Sequence, residues 1–220
     1  MPRASFADEL DSLRLQVEVM TIMVRESVHR ARTVLAEGDP AVAAELIAAD
    51  NAIDEMQISL TEVCYQLLAK EAPVAADLRL VVSVIRMLHE LERIGDLAIR
   101  VAKSVDDQPL IARHPAAFAV LLELADNVVE RFEAVERGWS SASIEPLAYL
   151  ADTDPLAQYA GPLIEHLLEL TGDDAVRVAL AAMSIGRSFD RIGDHTQIMA
   201  FRLRYLVTGD PAHLADEVAW

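Results

Sequence analysis

The sequence predicts an all-α fold of six long helices, arranged as two tandem sets of three. Three observations carry this. First, Gly (8) and Pro (9) are sparse among 220 residues while 53 % are hydrophobic, and the abundance of Ala, Leu, Val, Glu and Asp favours helix over strand. Second, apolar residues recur at three- and four-residue steps along extended segments. Third, the cluster Arg-Ile-Gly-Asp appears in "LERIGDLAIR" (91–100) and again in "FDRIGDHTQI" (189–198), each time preceded by an acid.

The first helix is expected over 6–37, stopped by "EGDP" (37–40). The second covers 41–71 and ends before Pro73, because proline has no N–H to continue the ladder. The third covers 74–105 and ends at "DDQP" (106–109). The fourth covers 114–138 and closes at Gly138. A looser stretch with two prolines follows, "WSSASIEPLAYLADTDP" (139–155), and the fifth helix ends near Gly172. The sixth runs over 173–208 to "TGDP" (208–211), and the tail "AHLADEVAW" (212–220) adds one short turn. The copied motif sits in the third helix of each set, which marks an internal duplication and divides the chain into 1–108 and 109–220. "VEVMTIMVRE" (17–26) aligns with "LELADNVVER" (122–131), and the second copy is shortened around the fifth helix.

Lys and Arg number 19 against 36 Asp and Glu, a net charge of −17. Such a chain repels nucleic-acid backbones and attracts cations, basic protein faces and metal ions; plain solubility is the bland alternative. Cys64 stands alone, so no disulfide framework forms within the chain. The N-terminal "MPRASFADELDSL" lacks the apolar core of a signal peptide, and no run approaches the ~18–20 apolar residues of a membrane span. The expectation is a soluble, cytoplasmic protein without membrane insertion, peripheral association being left open.

On the third helix one stripe reads Leu78, Val82, Ile85, His89, Glu92, Asp96, Ile99; the sixth helix repeats it with Val176, Leu180, Met183, Arg187, Asp190, Asp194, Gln197. Its apolar part is expected to pack inward. Its acids are costly there unless paired or coordinated, and like charges at i, i+4 repel. A parallel stripe of small residues, Gly95, Ala98 and Ala102 with Gly186, Gly193 and Ala200, suggests a helix backbone approaching closely.

The second helix contains "DNAID", another acid pair at i, i+4. If helices two and three fold as an antiparallel hairpin at Pro73, Asp54 falls opposite Glu92 and Asp50 opposite Asp96. Four carboxylates at one level make an oxygen-rich site suited to hard cations. The equivalent fold at Gly172 sets Asp152 opposite Asp194, but brings Leu156 to Asp190, so the second site is incomplete. His89 and His195 are candidate nitrogen ligands, His89 the better placed. The bland reading is a solvated acid face, with Arg93 and Arg191 as exposed partners and Arg100 pairing with Asp96. "ESVH" (26–29) has the ExxH spacing of ferritin-like di-iron bundles, but the fourth helix offers no second copy. A ferritin-like di-metal carboxylate oxidoreductase is therefore the alternative from the enzyme class, and a purely structural bundle the third reading. "HELER" (89–93) lacks the second histidine of a zincin.

The paired "(E/D)RIGD" motifs resemble those of the PhoU family, regulators associated with phosphate uptake. "GDPAVAAELIAADNAIDEMQ" (38–57), "APVAADLRLVVSVIRMLHELERIGDLAIRVAK" (72–103) and "FDRIGDHTQIMAFRLRYLVTGD" (189–210) are similar to its second, third and sixth helices. The resemblance implies two tandem three-helix bundles related by pseudo-two-fold symmetry. It implies metal sites at Asp50, Asp54, Glu92 and Asp96, and at Asp190 and Asp194 with Asp152, holding Fe, Mn, Mg or Zn. It also implies a non-enzymatic regulator, expected as a homodimer, joining the cytoplasmic domains of a phosphate ABC transporter and a sensor histidine kinase. Such a regulator represses the phosphate-starvation response when phosphate is plentiful. Three places depart from the family pattern: Arg100 and Ile198 stand where it often has Asn, Asp190 stands for its Glu, and no intact DxxxD precedes Gly172.

Overall fold

The computed structural model describes residues 3–150 and 157–219. Its main helices are α1 (Arg3–Glu37), α2 (Pro40–Glu71), α3 (Ala75–Ala102), the short α4 (Gln108–Ile111), α5 (Pro115–Ser141), α6 (Ala157–Leu168), α7 (Ala175–Thr208) and α8 (Ala212–Ala219). No strand occurs among the described residues. Helices α1, α2 and α3 form the first bundle, and α5, α6 and α7 the second.

Local chemistry places most boundaries. Gly38 takes a left-handed φ of 65°. Asp39 then caps α2 by accepting a hydrogen bond from the Ala41 N–H at 2.8 Å, with Pro40 in the first turn. Pro73 ends α2 through Ala72, whose φ is 43°. Gly209, at φ 72°, closes α7. Two boundaries differ from the sequence reading. Gly138 lies inside α5, and Ala142 carries the left-handed cap. A Cβ at Gly138 would meet Leu203 Cδ2 at 3.0 Å, so this glycine admits a neighbour rather than ending the helix. Helix α3 stops at Ala102, and a 3-10 turn (Val105–Asp107) leads into α4. There the buried Gln108 donates to the Ala36 carbonyl at 3.1 Å, satisfying an end carbonyl of α1.

The long α1 buries Leu13, Val17, Met20, Val24, Val28 and Ala31 on one stripe. It packs on α2, α3 and α5. Helices α3 and α7 contact each other along their length and form the centre. Asp107 against Arg177, Glu90 against His195, and Arg79 beside Gly209 set them antiparallel. Helices α1 and α5 are antiparallel too, tied by Arg25–Glu136, His29–Glu133 and Arg32–Asp126. The repeats thus join through equivalent helices, and their buried residues form one continuous core. Cys64 lies within it; burial pushes its thiol up to about 12, which keeps it protonated and inert.

The apolar stripe read from the sequence does not face this core. Leu78 is 40 % and Val82 41 % exposed, and Val176 and Leu180 are 71 % and 68 % exposed. The buried stripe of α3 is Leu80, Val81, Val84, Met87, Leu88, Leu91 and Ile94. The run "LRLVVSVIRML" is apolar enough to support two adjacent stripes at helical spacing, and the one with the acids is the outer.

Gly95 corrects a second expectation. A Cβ there would meet only the Ile53 side chain, at 3.6 and 3.7 Å, which is ordinary contact and no backbone approach. Alanine should fit, and it removes the entropy cost of a mid-helix glycine. Gly95→Ala is expected to raise stability by about 0.5–1 kcal/mol, read as a shift of the urea midpoint at unchanged slope.

Candidate functional site

The acids at the α2–α3 interface sit on neighbouring helices packed in the hairpin register. Burial first, then the charges of Asp54 and Asp96, hold the Asp50 carboxyl above its ordinary range, with Lys103 opposing. Burial first, then Asp96 and Asp54, does the same to Glu92, with His89 and Arg93 opposing. Asp50, Asp54 and Glu92 are half-buried and Asp96 is exposed. The four carboxylates are therefore electrostatic neighbours across the interface, each i, i+4 pair facing the other.

Their donor chemistry, all oxygen, is that preferred by hard cations. As placed, no three His, Cys, Asp or Glu side chains among the described residues converge closely enough to hold an ion. Closure on one would require rotamer changes in these side chains, none of which is held by a hydrogen bond among those found.

The sign of the pH dependence follows from the raised values. The Asp50 and Glu92 carboxyls each bind a proton more tightly folded than unfolded. Ionising either therefore costs stability above its folded value, and the cost is relieved as pH falls through that value. Glu92→Gln is expected to be more stable than wild type at neutral pH in chelator. The difference should shrink as pH falls into the carboxyl range, a trend urea titrations at several pH values would show.

The second set is arranged differently. Asp190 pairs with Arg187 at 2.7 Å, and Asp194 lies 4.0 Å from Arg191. Asp152, with Asp154 and Leu156, lies outside the described residues. Helix α6 has 12 residues where α2 has 32. Ahead of it, a 3-10 segment (Glu145–Leu150) follows α5. Buried polar groups of α7 hold that segment: Gln197 donates to the Leu150 carbonyl at 2.7 Å, and Arg204 donates to the Leu147 carbonyl.

Other candidates have structural partners. His195 is buried, with Nδ1 2.6 Å from Glu90 Oε2 across the α3–α7 interface. Glu26 accepts from Arg25 at 2.7 Å, and His29 meets Glu133 of α5 at 3.0 Å, so the ExxH pair serves the α1–α5 contact. His89 is exposed near Glu92. No ion pair joins Arg100 to Asp96 among those found.

Two pseudo-symmetric three-helix units with an acid-Arg-Ile-Gly-Asp motif on the third helix of each define a class of duplicated helical-bundle proteins. The family model described as "PhoU domain" matches residues 17–105, the first repeat. The phosphate-specific transport system accessory protein PhoU of Serratia marcescens is 28 % identical over 218 residues, spanning 96 % of this chain and 88 % of that protein. The homolog from Deinococcus radiodurans is 30 % identical over 172 residues, spanning 75 % and 78 %. The crystal structure of PhoU from Pseudomonas aeruginosa superposes with a TM-score of 0.85 at 26 % identity, covering 93 % of this chain and all of that one. The chain belongs to the PhoU family.

Proposed function

We propose that this protein is a non-catalytic regulator of phosphate homeostasis. It docks on cytoplasmic domains of a phosphate ABC transporter and of a sensor histidine kinase. Through them it represses the phosphate-starvation response when phosphate is plentiful. The observation that carries this is similarity along 96 % of the chain to a phosphate-specific transport system accessory protein. Among the described residues no helix is long and apolar enough to cross a membrane, which is consistent with action on the cytoplasmic side. A homodimer is the proposed assembly.

Metal ions belong to the proposal. Asp50, Asp54, Glu92 and Asp96 would hold them in the first repeat; Asp190 and Asp194, with Asp152, in the second. A hard cation such as Fe, Mn or Mg suits the donors better than Zn. Bound there, it would neutralise like charges and tie α2 to α3. The second set is the weaker candidate, because Asp190 and Asp194 lie beside arginines.

The test is interferometry of the purified full chain against the transporter ATPase subunit and the kinase cytoplasmic region. Elemental analysis of wild type, Glu92→Ala and Asp96→Ala accompanies it. Saturable binding to at least one partner supports the docking role, and binding to neither refutes it. Metal in wild type that is lost in both variants supports the first site. Metal-free wild type, with stability unchanged by added cation, removes it.

A further inference from the structure

Beside the α3–α7 contact lies a cleft of about 400 Å³ that shares only Asp96 with the α2–α3 carboxylate cluster. Arg93, Arg100, Arg187 and Arg191 line it, with Ser184, Ser188, His195, Asp96 and Leu97. In a chain of net charge −17, four guanidinium groups gather around one cleft with Asp96 as the single carboxylate in its lining, while Asp190, Asp194 and Glu90 stand behind Arg187, Arg191 and His195.

The gathering comes from the duplication. Arg93 and Arg191 are the same letter of the two Arg-Ile-Gly-Asp copies. Because α3 and α7 run antiparallel, the copies lie side by side and both arginines reach the same cleft. Arg187 is bonded to Asp190 at 2.7 Å, and Arg191 lies 4.0 Å from Asp194. Arg93 and Arg100 have no ion pair or hydrogen bond among those found, and both are exposed. Arg187 and Arg191 are partly neutralised by Asp190 and Asp194; Arg93 and Arg100 are not, and an anion between the groups would gain their attraction.

The lining also limits the anion. Its only aliphatic member is Leu97, and no Phe, Tyr or Trp is present on which a nucleobase would stack; the His195 ring is buried against Glu90. Planar donors in number favour tetrahedral oxyanions bound through paired N–H groups. We infer that this cleft binds a small phosphate anion, orthophosphate or pyrophosphate, directly through the arginines of both repeats. The choice of phosphate among tetrahedral oxyanions rests on the proposed role in phosphate homeostasis, but its test is separate: loss of partner or metal binding would leave the cleft's anion binding standing.

Titration calorimetry of the full chain in EDTA tests it, with orthophosphate, pyrophosphate and sulfate as separate ligands. Saturable binding of a phosphate anion is expected, and the tighter of the two identifies the ligand. Arg100→Gln should weaken it about tenfold and Arg93→Gln/Arg191→Gln about a hundredfold. Arg137→Gln, which removes an α5 arginine outside the cleft, should leave it unchanged. Circular dichroism checks folding. Should the double variant fail to fold, Arg100→Gln carries the test, since the exposed Arg100 side chain makes no ion pair among those found. Three results would overturn the inference: no binding without metal, equal affinity for sulfate, or equal weakening by Arg137→Gln.

Discussion

Phe189→Ala is expected to lower the unfolding free energy by about 3–5 kcal/mol. Phe189 opens the second motif segment and is among the largest fully buried side chains. Its neighbour Asp190, about 100° further round α7, is half-exposed and paired with Arg187. Removing the ring costs both its transfer from water and a cavity that close-packed helices fill only in part. Asp190→Ala should cost about 1 kcal/mol or less, because a surface ion pair contributes little. Denaturant titrations of the two variants would separate the faces. Similar losses would contradict the division of the motif into an apolar face inward and a polar face outward.

Gln197→Ala is expected to cost about 2–4 kcal/mol. Gln197 is 1 % exposed. Its Oε1 accepts from the buried Arg131 at 2.7 Å, and its Nε2 donates to the Leu150 carbonyl at 2.7 Å. Truncation therefore withdraws an acceptor from a buried guanidinium and a donor from a buried carbonyl. Such groups cost more when abandoned than their hydrogen bonds contribute when made. The 3-10 segment at Glu145–Leu150 should loosen as well, visible as faster amide exchange there. Gln197→Glu should recover part of the stability, since it restores the acceptor for Arg131 but not the donor for Leu150. A near-neutral Gln197→Ala would show that this link does not hold the second repeat together.

These two residues also show what the sequence makes legible. The stops at Gly38–Pro40, Pro73, Gly172 and Gly209 were readable because proline lacks a donor and glycine takes the left-handed backbone. Gly172, at φ 101°, is such a turn. The place of Gln197 was not readable. It shares a stripe with Asp190 and Asp194, and its burial depends on a segment that crosses over it without regular helix. The shortening around α6 was readable from aligning the two copies, but the 3-10 segment that hydrogen bonds from α7 hold ahead of it was not. The mutual approach of Asp50, Asp54, Glu92 and Asp96 followed from counting along a hairpin. Their convergence did not, because it depends on rotamers and on what lies between them. The arginine cleft was least legible. Arg93 and Arg191 read as surface partners until the antiparallel contact of α3 and α7 places both copies at one cleft.

The most direct measurement is a phosphate-starvation reporter in the native host grown with ample phosphate. Deleting the gene should raise the reporter several-fold, and the intact chain supplied in trans should restore repression. A reporter that stays repressed in the deletion strain would contradict the assignment of this protein to the repression of that response.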